Sequence, residues 1–201
     1  MKSVLNVGGG SKTIPIPAHY QGWQHILLDI DPRGGCDIAL DARLLHTLAP
    51  ASYDAVYCSH NLEHYHRHHG LEVLRGMHHV LKPEGFLEIR VPDLGEVMRL
   101  AFQNHLDLDD VLYHCPSGPI LVRDVIWGYH VEIERSGRDY YAHKTGFTVK
   151  SLLQFVTPIG FPVHGTRQAN LEIFAVFFKQ PPGEELQRLL NLKAPPAPSR
   201  P

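Results

Sequence analysis

Two stretches of this chain place reactive groups at spacings that suit chemistry. In the first, Leu5-Asn6-Val7 runs into Gly8-Gly9-Gly10, and about twenty residues later Ile26-Leu27-Leu28 ends in Asp29-Ile30-Asp31. Bare backbone beside a carboxylate, at the ends of two apolar segments, is the arrangement that lets a ligand approach the main chain while an acid takes both hydroxyls of a ribose. That chemistry is recognition of a nucleoside-containing cofactor. In the second stretch, His60-Asn61-Leu62-Glu63-His64-Tyr65-His66-Arg67-His68-His69 concentrates imidazoles around one acid. Such a group can move protons or hold a metal ion.

Residues of this kind need a scaffold, and the rest of the chain supplies one. Short apolar runs alternate with helix-like stretches, which predicts an α/β domain with a mostly parallel sheet. Strands are expected near 3–7, 25–30, 36–40, 54–58 and 86–91. A helix is expected over about 69–81, with Leu71, Leu74, Met77, Val80 and Leu81 on one face and Lys82-Pro83-Glu84-Gly85 as its stop. Helices are expected from Leu94 to about Leu106 and over 148–156, the latter capped by Thr148. Phe161–Gly165 and Leu171–Phe178 look like a closing pair of strands. Residues 107–146 are irregular and too long for a plain connection, so they are expected to form a lid or acceptor wall. Trp127, Tyr129, His130, Tyr140 and Tyr141 in it could face a sugar or pack as a satellite core. Beyond Pro181-Pro182-Gly183, a short amphipathic helix over 184–193 carries Leu186, Leu189 and Leu190 on one side. It suits docking on its own domain or on a second subunit, so a dimer is open. The tail 194–201 is Pro-rich and expected to be disordered.

Composition narrows the function. With 19 Lys and Arg against 21 Asp and Glu, the chain lacks the basic footprint of a general nucleic-acid binder. No apolar run approaches the roughly 18 residues of a membrane span, and the first residues enter a strand without a signal-peptide layout. The 3 cysteines, Cys36, Cys58 and Cys115, are odd in number and scattered. They suit reduced thiols, and a cytoplasmic protein is expected.

The cofactor can be narrowed from the residues that follow Gly10. A dinucleotide site uses a helix N-terminus to hold the pyrophosphate. Here Pro15 and Pro17 leave little room for a regular helix before the second strand. A nucleoside cofactor without phosphates fits better, and S-adenosylmethionine is one. The chain also resembles the class I S-adenosylmethionine-dependent methyltransferases, and more narrowly a small bacterial group with a shortened first crossover and a Leu-Glu-His motif after strand four. The resemblance covers about residues 3–179. It rests on residues 6–10, 28–32, 38–42, 53–64, 80–86, 91–93 and 143–148. It implies a Rossmann-like, doubly wound, mostly parallel seven-stranded sheet with an antiparallel closing strand, in a methyltransferase domain over 1–180. It further implies that Gly8, Gly9 and Gly10 face the methionine part of the cofactor, with Asn6 orienting the turn where the family often has an acid. Asp29 would hold the ribose, Ile30 lie on the adenine, and Asp41 and the Ala42 backbone meet the adenine edge. Cys58, Ser59 and His60 would line the floor beneath the methyl group.

Methyl transfer is an in-line displacement that depends on alignment, and a hydroxyl acceptor gains from a nearby base. The base candidates are His60, His64, Asp93 and His143, although Asp93 also suits the cap of the helix at Leu94. The acceptor is expected to be a small molecule or a glycan precursor, because the group resembled often serves surface glycans. Two rivals remain. His60-x-x-Glu63-His64 matches a metallopeptidase pattern, in which both histidines bind zinc, Glu63 is the base and Glu132 or Glu134 offers a third ligand. Alternatively, the chain binds S-adenosylmethionine without transferring it. The methyltransferase reading assigns no metal ligands and treats Glu63 and His64 as partly structural. His66, His68, His69, His78 and His79 are expected to face solvent mostly and to bind metal only incidentally. Tyr140-x-x-x-Lys144 has short-chain dehydrogenase spacing, but the glycine-rich entry of those enzymes is missing.

Overall fold

A computed structural model describes residues 1–116 and 118–192; the Pro-rich tail lies outside the described residues. The central sheet has seven strands in the order β3-β2-β1-β4-β5-β9-β8. These are β1 (Ser3–Val7), β2 (Gln24–Asp29), β3 (Ile38–Ala39), β4 (Tyr53–Ser59), β5 (Leu81–Pro92), β8 (Val163–Ala169) and β9 (Glu172–Phe178). The first five pair in parallel, whereas β9 runs antiparallel to both β5 and β8. The strand order reverses between β1 and β4, and ligands of open α/β sheets bind at the carboxyl side of such a switch point.

Each expected strand is present, with one correction. Lys82-Pro83-Glu84-Gly85 does not separate helix from strand. Helix α1 (Arg67–Val80) passes directly into β5, and the four residues form a bulge within it. Tyr53 pairs with Leu81, and the next pair is Ala55 with Phe86. Gly85 is tucked against the Asp54 carbonyl, where a Cβ would lie 2.7 Å from the oxygen.

The two faces of the sheet are covered differently. On one face α1 and α5 (Val149–Val156) enclose the main core with Leu5, Val7, Val56, Leu74, Met77, Ile89 and Phe155. Helix α1 comes close because it carries glycine at the contact: a Cβ on Gly76 would sit 2.5 Å from that of Leu45. Thr148 caps α5 as expected, accepting from the Ser151 amide. The other face has no long helix. After Pro15 and Pro17 the chain makes only a 3-10 turn at Ala18–Tyr20. Tyr20, Trp23 and Ile16 cover Val4, Tyr57, Phe86 and Phe178 there, joined by Leu186, Leu190 and Leu192 of the C-terminal segment around α6 (Glu184–Leu189). The amphipathic C-terminal helix therefore docks on its own sheet.

The segment 107–146 is more regular than expected. It holds a hairpin of β6 (Val111–Cys115) and β7 (Gly118–Leu121), then α3 (Val122–Trp127) and α4 (His130–Ser136). With α2 (Leu94–Gln103) it encloses a small third core of Val97, Val122 and Val125. Trp127 is not part of that core and is 54% exposed.

Histidines 78 and 79 depart from expectation. His78 packs edge-on against Phe161, and His79 is bonded to the Leu48 carbonyl, so both are half-buried and engaged with neighbouring elements. His66 and His68 are exposed.

Candidate active site

The carboxyl ends of β1 and β2 form one continuous turn system. Gly8 and Gly10 have φ of +72° and +68°, values that an L side chain adopts only with strain. The Gly10 amide donates to Asp29 Oδ2 at 2.9 Å, and the Asp31 amide donates to Oδ1 at 2.8 Å. Asp29 thus holds the two loops together while each oxygen keeps a lone pair. Gly34 in the loop after β2 closes the contact, since a Cβ there would lie 1.7 Å from the Gly10 carbonyl oxygen. Nothing in the spacing singled out Gly34; only contact between the two loops reveals it.

Two asparagines underlie the glycines. The Asn61 side chain reaches over Gly8, where a Cβ would fall 2.0 Å from its amide nitrogen, and Asn6 does the same beneath Gly9 at 2.2 Å. Asn6 Nδ2 lies 3.2 Å from His25 Nε2, but the amide oxygens of Asn6 and Asn61 are buried with no partner. Unmatched acceptors beside a glycine turn suit a ligand that brings hydrogen-bond donors, such as an amino acid's ammonium. Ile30 is 57% exposed at the end of β2, an apolar surface for a flat ring. Asp41 caps the 3-10 helix Ala42–Thr47 and pairs with Arg43, its Oδ2 2.9 Å from Nε. Asp29, Ile30 and the glycines therefore gather at the switch point, and Asp41 lies at the adjacent strand end.

Cys58 does not present a thiol to this space. Its side chain is fully buried in the main core, and burial pushes the thiol well above its ordinary range. Any contact from Cys58 is through its backbone. Ser59 ends β4 and leads to His60, which is held at φ +48°.

The second half of the site lies beyond β4. His60 Nε2 is 2.7 Å from Glu172 Oε1, and its Nδ1 is 3.4 Å from Glu63 Oε1. Burial lowers the His60 pKa, but the two carboxylates more than offset this and hold it at about 10. His60 is a cation at neutral pH. Glu63 is 1% exposed, and neither of its carboxylate oxygens makes a hydrogen bond. Burial raises its pKa, and the neighbouring histidines outweigh that, so it stays ionised. His64 and His143 pack edge to face with ring centroids 4.9 Å apart. One ligand atom each from Glu63, His64 and His143 lie within 4.8 Å of one another. Burial holds the His143 pKa below its ordinary value. Asp93 is separate from this group: it accepts from the Gly95 and Glu96 amides at 3.0 and 3.3 Å as the cap of α2, and also from Gln168.

The inserted segment 107–146 ties the two halves together. The Lys144 and Thr145 amides donate to the Glu63 carbonyl at 2.8 and 3.1 Å. Arg138 Nη1 lies 3.1 Å from Asp31 Oδ2, and the Tyr140 hydroxyl 3.4 Å from the same oxygen. The chain after α4 therefore runs from the β2 loop to the turn after β4, over the carboxyl ends of the sheet.

The metallopeptidase pattern does not assemble. Leu62–His64 is a single 3-10 turn, and His60 faces Glu172 rather than sharing a helix face with His64. The pairing of Tyr140 with Asp31 likewise removes any dehydrogenase significance from its spacing to Lys144.

The strand order, the reversal at β1 and β4 and the glycine turn define a Rossmann-like domain built to bind a nucleoside-containing ligand. Solved structures share the fold at low identity. The PH0226 protein from Pyrococcus horikoshii OT3 matches with a TM-score of 0.59 and 15% identity over 89% of this chain and 82% of its own. A SAM dependent methyltransferase from Archaeoglobus fulgidus matches with a TM-score of 0.55 and 14% identity, over 88% and 85%. A possible exported protein from Bordetella parapertussis matches at 0.54 and 15%, over 90% of this chain, which spans 62% of that protein's length. No curated protein matches the chain by sequence. A family model described as a methyltransferase domain matches residues 1–152. The chain belongs to that family of methyltransferases, a class whose methyl donor is S-adenosylmethionine. Among the described residues no helix is long and apolar enough to cross a membrane.

Proposed function

We propose that the protein transfers a methyl group from S-adenosylmethionine to a hydroxyl of a small molecule or glycan precursor. Bound at the switch point, that cofactor supplies an electrophilic methyl on a sulfonium. The residues present suit it. Gly8 and Gly10 admit the main chain to close contact, and the free amide oxygens of Asn6 and Asn61 match an ammonium. Asp29 keeps lone pairs for ribose hydroxyls, Ile30 offers an apolar face, and Asp41 with the Ala42 backbone would meet the adenine edge. Ser59 and the Cys58 backbone would floor the methyl position.

The observation that carries the acceptor half is the group of Glu63, His64 and His143, the last supplied by the inserted segment. It also reduces the base candidates. His60 is already protonated at neutral pH, and Asp93 is taken up by its cap. A carbonyl only accepts, so His64 Nδ1, 3.2 Å from the Ala142 carbonyl, and His143 Nδ1, 3.0 Å from that of Val125, must both donate. The Nε2 of His143, whose pKa burial holds below its ordinary value, is then the lone-pair nitrogen and the preferred proton acceptor for the hydroxyl.

Calorimetry with S-adenosylmethionine and its demethylated product tests the donor half. Binding of both in the micromolar range is expected, and no binding of either at millimolar levels would overturn the reading. Turnover on a panel of hydroxylated acceptors tests the rest. Exclusive methylation of amines or carbon would replace the hydroxyl reading.

A further inference from the structure

We propose that Glu63, His64 and His143 form a binding site for a divalent transition cation at the acceptor end of the molecule. Three observations point there. The Glu63 carboxylate is 1% exposed, yet neither oxygen has a hydrogen-bond partner. Its nearest charge is the His60 ring, Nδ1 3.4 Å from Oε1, and a buried ionised acid with no hydrogen bond is costly unless something else satisfies it. Second, both imidazoles are fixed through Nδ1 by backbone carbonyls, His64 by Ala142 at 3.2 Å and His143 by Val125 at 3.0 Å. Metal-bound histidines are typically oriented in this way, with the outer nitrogen donating and the inner one free to ligate. Third, one ligand atom from each of the three residues lies within 4.8 Å of the other two, although His143 is distant in the chain from the adjacent pair Glu63 and His64.

Two imidazoles and one carboxylate suit zinc, cobalt, manganese or iron, and three protein ligands leave coordination positions open. His60 does not complete the set, because its Nε2 is engaged with Glu172. The use of the site rests on the methyltransferase reading above. An acceptor with two adjacent oxygens would complete the coordination, and binding to the cation would lower the pKa of the hydroxyl to be methylated, so that its proton passes to solvent instead of to His143 and the alkoxide takes the methyl group from the sulfonium, which leaves as the neutral thioether. The two imidazoles would then act as ligands and hold the acceptor through the cation.

The test uses the untagged full chain, stripped of metal and titrated with Co²⁺ followed by visible absorption, then with Zn²⁺ by calorimetry. Wild type and the surface variant H66A/H68A/H69A are expected to bind about one equivalent tightly, with d–d bands of a low-coordinate site. His143→Ala, His64→Ala and Glu63→Gln should each weaken binding by at least ~10-fold. Circular dichroism melts and binding of the demethylated cofactor serve as fold controls. If Glu63→Gln does not fold, the two histidine variants still decide. Absence of cobalt and zinc binding would overturn the proposal. So would binding that survives all three ligand substitutions, and so would binding abolished by the surface variant. Failure of the demethylated cofactor to bind, with metal binding intact, would instead refute the methyltransferase reading and leave the metal site standing.

Discussion

The two halves of the site are built by different means. The donor half, at the exits of β1 and β2, is made of backbone and short-range contacts: the Gly10 amide on Asp29, the Asp31 amide on the same side chain, and Gly34 against the Gly10 carbonyl. The acceptor half is made of side chains brought from far apart. His64 and His143 pack together although they are far apart in the chain, and His60 reaches Glu172. A site made of tight turns tolerates little change of shape, because an added Cβ at Gly8 or Gly9 meets an asparagine side chain and one at Gly34 meets the Gly10 carbonyl. A site made of side chains can exchange chemistry while the frame stays. The family match over residues 1–152 takes in the donor half together with His60, Glu63, His64 and His143, but not Glu172.

The contrast can be broken most sharply by His143→Ala. Methyl transfer should fall by about 10²- to 10⁴-fold while affinity for the demethylated cofactor stays within about 2-fold. A parallel loss of cofactor affinity in calorimetry would show that the halves are not separable. The reverse experiment is Gly34→Ala. Its Cβ would be placed 1.7 Å from the Gly10 oxygen, so one loop must move. A loss of about 1–3 kcal/mol in stability is expected, together with at least ~10-fold weaker cofactor binding. Unchanged melting and binding would mean that the turn system is plastic.

A smaller effect concerns His60. Its folded pKa, about 10, lies above the ordinary histidine value, so its pairing with Glu172 and Glu63 stabilises the fold fully below about pH 6.5. That contribution fades as pH rises toward 10. The melting difference between wild type and His60→Gln should therefore be greatest near pH 6 and vanish by about pH 10. A difference that grows with pH would show that His60 is neutral in the folded protein. The smallest effect is expected for Arg138→Ala, which removes a partly exposed pair with Asp31. The melting temperature should hardly change, because solvent screens an exposed pair. If the crossing segment guards the site, the acceptor KM should rise with kcat unchanged.

The helix-replacing turn shows why the donor half could be read in advance. Pro15 and Pro17 act locally on backbone dihedrals, so the missing helix was visible without knowing what packs where. Thr148 and Asp93 as helix caps are local in the same sense. The bulge at Lys82–Gly85 was misjudged for the opposite reason. Pro and Gly usually end an element, but here pairing with β4 resumes beyond them and keeps the four residues in the strand. His78 and His79 followed no polar rule because neighbouring elements, Phe161 and the Leu48 carbonyl, came to them. Cys58 lies on the right strand for the site, but the alternation of β4 turns its side chain into the core.

By itself the sequence determined the α/β class, the glycine turn, the acid at the end of β2 and the absence of a first crossover helix. All of these follow from periodicity or from the conformational limits of single residues. Only the tertiary structure decided that Gly34 must be glycine, that the amphipathic C-terminal helix covers its own sheet, and that Glu63, His64 and His143 converge while His60 turns away to Glu172. Those outcomes depend on the meeting of segments distant in the chain. No local pattern encodes such a meeting, because it is set by the packing of the whole sheet and its covering layers.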